Sequence, residues 1–290
     1  ENCLLPSLNS ILDLIKHYSK LWDKTYMISK THGQSAITTS MGKEFYVYYT
    51  RLEVQINQLK EYRYSSKFGG AVGNLNAHYF CYPDINWDKN LNNLLEGEFN
   101  IKRNKYTTQI DHYDNLCEIF DILRRINMIL LDFNQDIWLY ISQDYFKLKM
   151  IKGEVGSSTM PHKVNPINFE NSEGNIYLAN SFLTMFSHKL PVSRLQRDLT
   201  DSTISRNFGS ALSYCLIAYT SFIKGIDKLE INITKLNNDL DENWCILMEP
   251  VQTIMKTEFI ENSYDIIKQI SRGQTITKEI YLEIVNNLNI

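Results

Sequence analysis

The sequence predicts an all-α fold: a bundle of long helices carrying a smaller helical domain at its C-terminal end. Three observations predict it. Glycine and proline are sparse, 12 and 6 in 290 residues, which favours long uninterrupted helices over a many-turned β fold. Apolar residues recur three or four apart through most of the chain, the period of an α-helix. One such stripe, from about Asp114 to Lys149, spans about 50 Å if helical.

Taken in order, Leu8, Ile11, Leu12, Ile15, Trp22 and Tyr26 predict a first helix from Leu4 to about Met27, broken by a turn at Thr31–Gly33. Phe45, Tyr48, Leu52, Ile56 and Leu59 predict a second, from near Thr39 to about Lys67. Periodicity then fails until about Asp114. A long unpatterned stretch in a compact domain is usually functional or disordered. Gly69-Gly70, Gly73-Asn74, Tyr82-Pro83-Asp84 and Tyr106-Thr107-Thr108-Gln109 favour ordered irregular structure. The third helix carries Leu116, Ile119, Phe120, Leu123, Ile126, Leu130, Phe133, Ile137 and Tyr140 on one stripe, with Ile122, Ile129, Leu131 and Ile141 widening it. Such a helix needs neighbours on several sides, which points to an oligomer.

Asn168–Leu190 predicts a fourth helix, stopped by Pro191, and Thr200 or Asp201 caps a fifth that runs to about Ile223 and is closed by Gly225. Shorter helices follow, one capped near Asn232, one from Pro250 and one near Thr277, with Gly273 between the last pair. The predicted division is a bundle domain over 1–226, with an irregular loop at 153–166, and a helical C-terminal domain over 227–290.

Hydrophobic residues make up 43% of the chain and charged residues 22%, ordinary for a globular protein. A net charge of −3 gives no support to a nucleic-acid binder, which carries a basic excess. Cys3, Cys81, Cys117, Cys215 and Cys245 are scattered, with no metal-ligand or redox spacing; reduced thiols in the cytoplasm are the expectation. No apolar run is long enough to cross a bilayer, and Glu1-Asn2-Cys3 does not begin a signal peptide. No histidine triad has metal-site spacing and no Gly-x4-Gly-Lys-Ser/Thr string exists, so neither a metal nor another cofactor is expected.

Chemistry concentrates in Gly153-Glu154-Val155-Gly156-Ser157-Ser158-Thr159-Met160-Pro161-His162-Lys163-Val164-Asn165-Pro166. Two glycines and two prolines forbid a continuous helix and let backbone approach a ligand. Ser157 and Ser158 each offer a hydroxyl, while Lys163 and Asn165 offer a cation and a neutral donor for an oxyanion. His32, beside Gly33, has an intrinsic pKa near operating pH and suits a general acid.

The string Gly-Ser-Ser-x-Met-Pro-x-Lys-x-Asn-Pro is that of the fumarase/aspartase superfamily. His162 before Lys163, and Asn168-Phe169-Glu170-Asn171-Ser172-Glu173-Gly174-Asn175 behind it, closely resemble its adenylosuccinate lyase family. Thr31-His32-Gly33-Gln34, Gly70-Ala71-Val72-Gly73-Asn74 and Arg194-Leu195-Gln196-Arg197-Asp198-Leu199-Thr200-Asp201-Ser202 agree, in the same order. Two departures stand out: Ser35 and Thr38 occupy positions where the family has proline, and His112 lies where it has an acid and proline.

The resemblance implies β-elimination of fumarate from adenylosuccinate, giving AMP, and from the succinyl-carboxamide ribonucleotide of purine synthesis. It implies Ser157 as base, Lys163 and Asn165 as carboxylate ligands, and His32 as the acid that protonates the leaving nitrogen. Gln109 and Asn171 would contact substrate, and Arg197, Ser202, Thr203 and Arg206 the nucleotide phosphate. His78 is expected to be structural, His162 to orient the loop, and His17 and His188 to lie on helix surfaces. The family also implies a homotetramer with sites shared between chains. Its members carry further site residues upstream of Glu1, so the chain is expected to be a fragment lacking the N-terminal region and the extreme C-terminus, inactive alone. The competing readings are argininosuccinate lyase, fumarase and a non-catalytic helical scaffold.

Overall fold

A computed structural model describes residues 2–150, 160 and 163–288. The chain runs α1 (Leu4–Leu21), β1 (Tyr26–Thr31), β2 (Gln34–Ser40), α2 (Met41–Glu61), β3 (Ser65–Lys67), α3 (Asn76–Cys81) and α4 (Trp87–Asn92). A π-helical turn (Asn93–Glu98), β4 (Lys102–Asn104), α5 (Asp114–Ser142), β5 (Phe146–Leu148), α6 (Ile167–Lys189), α7 (Thr200–Ser205) and α8 (Phe208–Ile226) follow. The last part holds β6 (Leu229–Ile231), α9 (Ile233–Glu242), a 3-10 turn (Trp244–Leu247), α10 (Met248–Thr257), α11 (Ser263–Ser271) and α12 (Lys278–Leu288). The protein is all-α in class, with three short two-stranded ribbons among the described residues: β1–β2 and β5–β6 antiparallel, β3–β4 parallel.

The helix boundaries depart from the sequence expectation in physically instructive ways. The first helix ends at Leu21, not Met27, because Tyr26–Ser40 forms a hairpin. Its strands are rich in Ile, Ser and Thr, which fit a pleated surface better than a helix. His32 (φ 53°) and Gly33 (φ 73°) make its two-residue turn, left-handed at both positions as a tight hairpin requires. The second helix begins at Met41 and stops at Glu61. The third stops at Ser142 rather than Lys149: Asp144 turns left-handed (φ 60°), and Phe146–Leu148 pairs with Leu229–Ile231 instead. The fifth is two helices, α7 and α8, parted at Arg206–Asn207. Gly225 does not close α8 but lies inside it. A Cβ there would come within 2.8 Å of the Phe169 ring, so glycine permits close packing of α8 on α6.

The chain divides into two compact units. The first comprises Glu1–Leu12, Thr50–Asp136 and Pro166–Asp227. In it α6 and α8 make extensive contact, and Phe120, Leu123, Ile126, Leu130, Phe133, Phe169, Ile176, Leu183, Phe186 and Phe222 are buried. Burying each such side chain stabilises by about 1.5–3 kcal/mol. A polar layer crosses this core. Tyr219 donates to Asn127 Oδ1 at 2.7 Å, and the Asn127 amide donates to Asn180 Oδ1 at 2.9 Å and to Cys215 Sγ at 3.4 Å.

The second unit comprises Asp13–Tyr49, Ile137–Asn165 and Lys228–Ile290. Trp22 packs edge-on to Phe45 at 5.0 Å and near Phe146 at 5.2 Å. Met248, Val251, Met255, Ile267, Ile276 and Ile284 form a separate cluster among the C-terminal helices. Asn232 caps α9, accepting from the Lys235 amide at 3.3 Å, as its position predicts.

Candidate functional site

In the first unit, three stretches far apart in sequence meet around Lys67. Its ammonium donates to the Gly70 carbonyl at 2.7 Å and to the Gln109 carbonyl at 2.6 Å. Gln109 N–H donates to the Gln196 carbonyl at 3.2 Å, joining the 109 segment to the turn that carries Arg197. Gly73 (φ +88°) lies so close to the Thr107 carbonyl that a Cβ would sit 1.9 Å from it. Only glycine fits there, on both steric and backbone grounds. Tyr113 donates to Asp201 Oδ2 at 2.9 Å, while Asp201 Oδ1 is buried without a partner among the described residues. Burial first, and then the Asp201 carboxylate, push the Tyr113 hydroxyl up to about 12.

The Arg197 turn is held from within. Asp198 Oδ1 accepts from the backbone and hydroxyl of Thr200, and Arg194 reaches Oδ2 at 3.0 Å. Ser193 Oγ accepts from Asp198 N–H at 3.1 Å. The Thr200 hydroxyl and backbone hydrogen bonds hold the Asp198 carboxyl at about 2, below the usual carboxylate range. Arg197 is exposed, as are Thr203 and Arg206; Ser202 is half-buried. The expectation that Thr200 or Asp201 caps a long helix fails: α7 has six residues, starts after Leu199 and has no side-chain cap. Asp201 faces Tyr113 instead, and so short a helix contributes little dipole to an anion.

Burial lowers the Lys67 pKa from the ordinary lysine value, the Arg197 charge lowers it further, and Asp111 opposes both. Lys67 therefore stands within electrostatic range of Arg197. The Asp111 carboxylate accepts from the Asn104 amide at 3.0 and 3.1 Å, which fixes the segment between Gln109 and Tyr113. On α6, the exposed Asn171 donates to Ser221 Oγ at 2.7 Å and accepts from the Asn175 amide. His78 is half-buried, edge-on to Phe68 and Trp87.

The second unit carries the other candidates. His32 stands exposed at the tip of the β1–β2 hairpin rather than at a helix end. The base of that hairpin is locked: Met41 N–H donates to the Thr25 carbonyl at 2.8 Å and Gly42 N–H to the Trp22 carbonyl at 3.0 Å. Lys163 is exposed and Asn165 half-buried. Ser157, Ser158 and His162 lie outside the described residues. Among the described residues no group of three His, Cys, Asp or Glu side chains could hold a metal ion.

Two residues of this arrangement had escaped the sequence reading. Lys67 had a signal for its near partner only, its place two residues before Gly69-Gly70 and the Gly73 turn. Asp198 had one too, an acid two residues before a threonine that opens a helix.

A family model described as Lyase matches residues 1–178, and one described as Adenylosuccinate lyase C-terminal matches 193–290. The adenylosuccinate lyase of Vibrio cholerae is 44% identical over 288 residues, covering 99% of this chain and 63% of that enzyme. That of Haemophilus influenzae is 45% identical over 290 residues, with 100% and 63% covered. That of Legionella pneumophila is 48% identical over 285 residues, with 98% and 62% covered. The chain thus spans under two thirds of the length of these relatives. Among solved structures, 3-carboxy-cis,cis-muconate lactonizing enzyme from Pseudomonas putida aligns with a TM-score of 0.74 at 20% identity, over 92% of this chain and 60% of that one. At that identity it supports the fold alone.

Proposed function

The chain belongs to the lyase family, on its adenylosuccinate lyase branch, and on that premise we propose that the protein eliminates fumarate from adenylosuccinate to give AMP, and from the succinyl-carboxamide ribonucleotide of purine synthesis. The observation that carries the reading is the joining of Gln109 to the Arg197 turn through the Gln109–Gln196 hydrogen bond and Lys67. It adds a built nucleotide-side framework to the signature string, which stands intact at 156–166.

The reaction makes three demands. Ser157 takes the proton from the carbon beside a carboxylate of the succinyl arm. Lys163 and Asn165 hold that carboxylate as negative charge builds on it. The electron pair forms the C=C bond of fumarate, the C–N bond breaks, and His32 supplies a proton to the departing nitrogen. Gln109 and Asn171 contact the substrate. Arg197, with Ser202, Thr203 and Arg206, grips the phosphate, a task suited to guanidinium groups able to donate two bonds at once.

The working protein is a homotetramer with shared sites, in the cytoplasm. Supporting the first point, Val54 on α2, Met128 on α5, Tyr177 and Leu178 on α6 and Ile217 on α8 are exposed. Val54 and Met128 border a groove of about 660 Å³, and apolar faces of this kind are covered in assemblies. Supporting the second, the described cysteines are free thiols and no described helix is long and apolar enough to cross a membrane.

A substrate panel with the complete protein tests the activity. Turnover of adenylosuccinate, with argininosuccinate and malate inert, is the expected result, together with a sedimenting mass of four chains. Preference for either other substrate overturns it, and the absence of AMP binding would favour a scaffold instead.

A further inference from the structure

We infer that Lys67 is a positioning residue of the nucleotide site, the tie that sets Gln109 and Arg197 in one register; this rests on the function proposed above. Its ammonium bridges two carbonyls 39 residues apart, Gly70 and Gln109, at 2.7 and 2.6 Å. Short charge-assisted bonds of this kind are stronger than neutral ones and fix geometry. The Gln109 peptide passes the constraint on, because its N–H holds the Gln196 carbonyl at 3.2 Å, one residue before Arg197. The same bridge holds the loop that opens at Gly70 and returns to touch Thr107 at Gly73.

Lysine serves here where a neutral donor would not. Two carbonyl oxygens converge on one point, and an ammonium carries three donors and no acceptor. Its charge also adds to the Arg197 guanidinium, raising the local attraction for a phosphate. Lys67 itself is engaged with main-chain oxygens and is assigned no contact with the reacting atoms. Removing it therefore weakens binding of ground state and transition state alike, the pattern that appears in KM rather than kcat.

The test is steady-state kinetics of the complete protein on adenylosuccinate, alongside direct AMP binding. Lys67→Met is expected to raise KM and the AMP dissociation constant about tenfold or more, with kcat changed by less than about threefold. Lys67→Arg, which keeps charge and donors, is expected to restore KM to within about threefold. Lys67→Gln keeps a donor without the charge and should fall between them; it carries the test if Lys67→Met does not fold. An unchanged KM in Lys67→Met or Lys67→Gln overturns the inference, as does a loss confined to kcat or a Lys67→Arg variant no better than Met. If the unsubstituted protein neither turns over adenylosuccinate nor binds AMP, the proposed function fails and takes this inference with it. An active enzyme indifferent to Lys67 sinks the inference alone.

Discussion

Asp198 shapes the turn from which Arg197 projects, and its carboxylate does so by accepting from Thr200 and Arg194. Its folded pKa, about 2, lies below the value of about 3.9 it would have in an unfolded chain. The sign follows: the restraint is fully present above the unfolded value and is lost as pH falls through about 2. Hydrogen exchange of the peptide around Thr200 should therefore stay protected at pH values near 3 in the native sequence. Asp198→Asn should expose it even at neutral pH and weaken AMP binding about five- to tenfold, since a carboxylate is a stronger acceptor than a neutral amide. Loss of native protection centred near pH 4 would contradict this account. At this scale the sequence offers its candidates where a motif spells out a residue type, as at His32, Arg197 and Lys163. It was opaque where a residue works on distant main chain. Lys67 acts on a carbonyl 42 residues away, and nothing local marks that. Gly225 was misread for a related reason: its role is set by the Phe169 ring across the α6–α8 contact, not by its neighbours in sequence.

Among the elements, the hairpin Tyr26–Ser40 shows why a helical stripe overran. Tyr26 falls on the continuation of the α1 apolar series, so spacing alone extends the helix. The turn signal, His32-Gly33 between Thr31 and Gln34, marks a break but not the strands on either side of it. The same overrun befell α5, where Tyr145 and Phe146 continue the stripe but pack after a left-handed turn at Asp144. The hairpin base depends on a close crossing at Gly42, where a Cβ would lie 2.2 Å from the Ser19 carbonyl and 2.6 Å from Asp23 backbone. Gly42→Ala is therefore expected to destabilise by about 1–3 kcal/mol, because backbone on both sides must move. Gly97→Ala, where nothing lies within 4 Å of the added atom, should change stability by less than about 1 kcal/mol. Chemical denaturation of the two variants makes the comparison, and equal midpoints would contradict the crossing as a constraint. Since His32 rides on this hairpin, Gly42→Ala should also lower activity below the melting range.

For the whole molecule, the class was legible because long helices write their period into sequence: Ile167–Lys189 lies within a residue of its expected bounds, and Asp114–Ser142 begins where spacing put it. The short ribbons were not, since three residues such as Ser65–Lys67 pair with Lys102–Asn104 too briefly to show alternation. The candidate site was legible as a list of residues and not as an arrangement. Its nucleotide side becomes an arrangement in the first unit, through Lys67, Gln109 and Gln196; His32, Lys163 and Asn165 belong to the second. The central claim is that His32 and Ser157 act as acid and base in fumarate elimination, and absorbance-monitored turnover of adenylosuccinate by the complete protein tests it most directly. The account predicts robust turnover by the unsubstituted protein and losses in kcat of about a hundred- to ten-thousandfold in His32→Ala and in Ser157→Ala. No turnover by the unsubstituted protein, or a kcat untouched by either substitution, would contradict it.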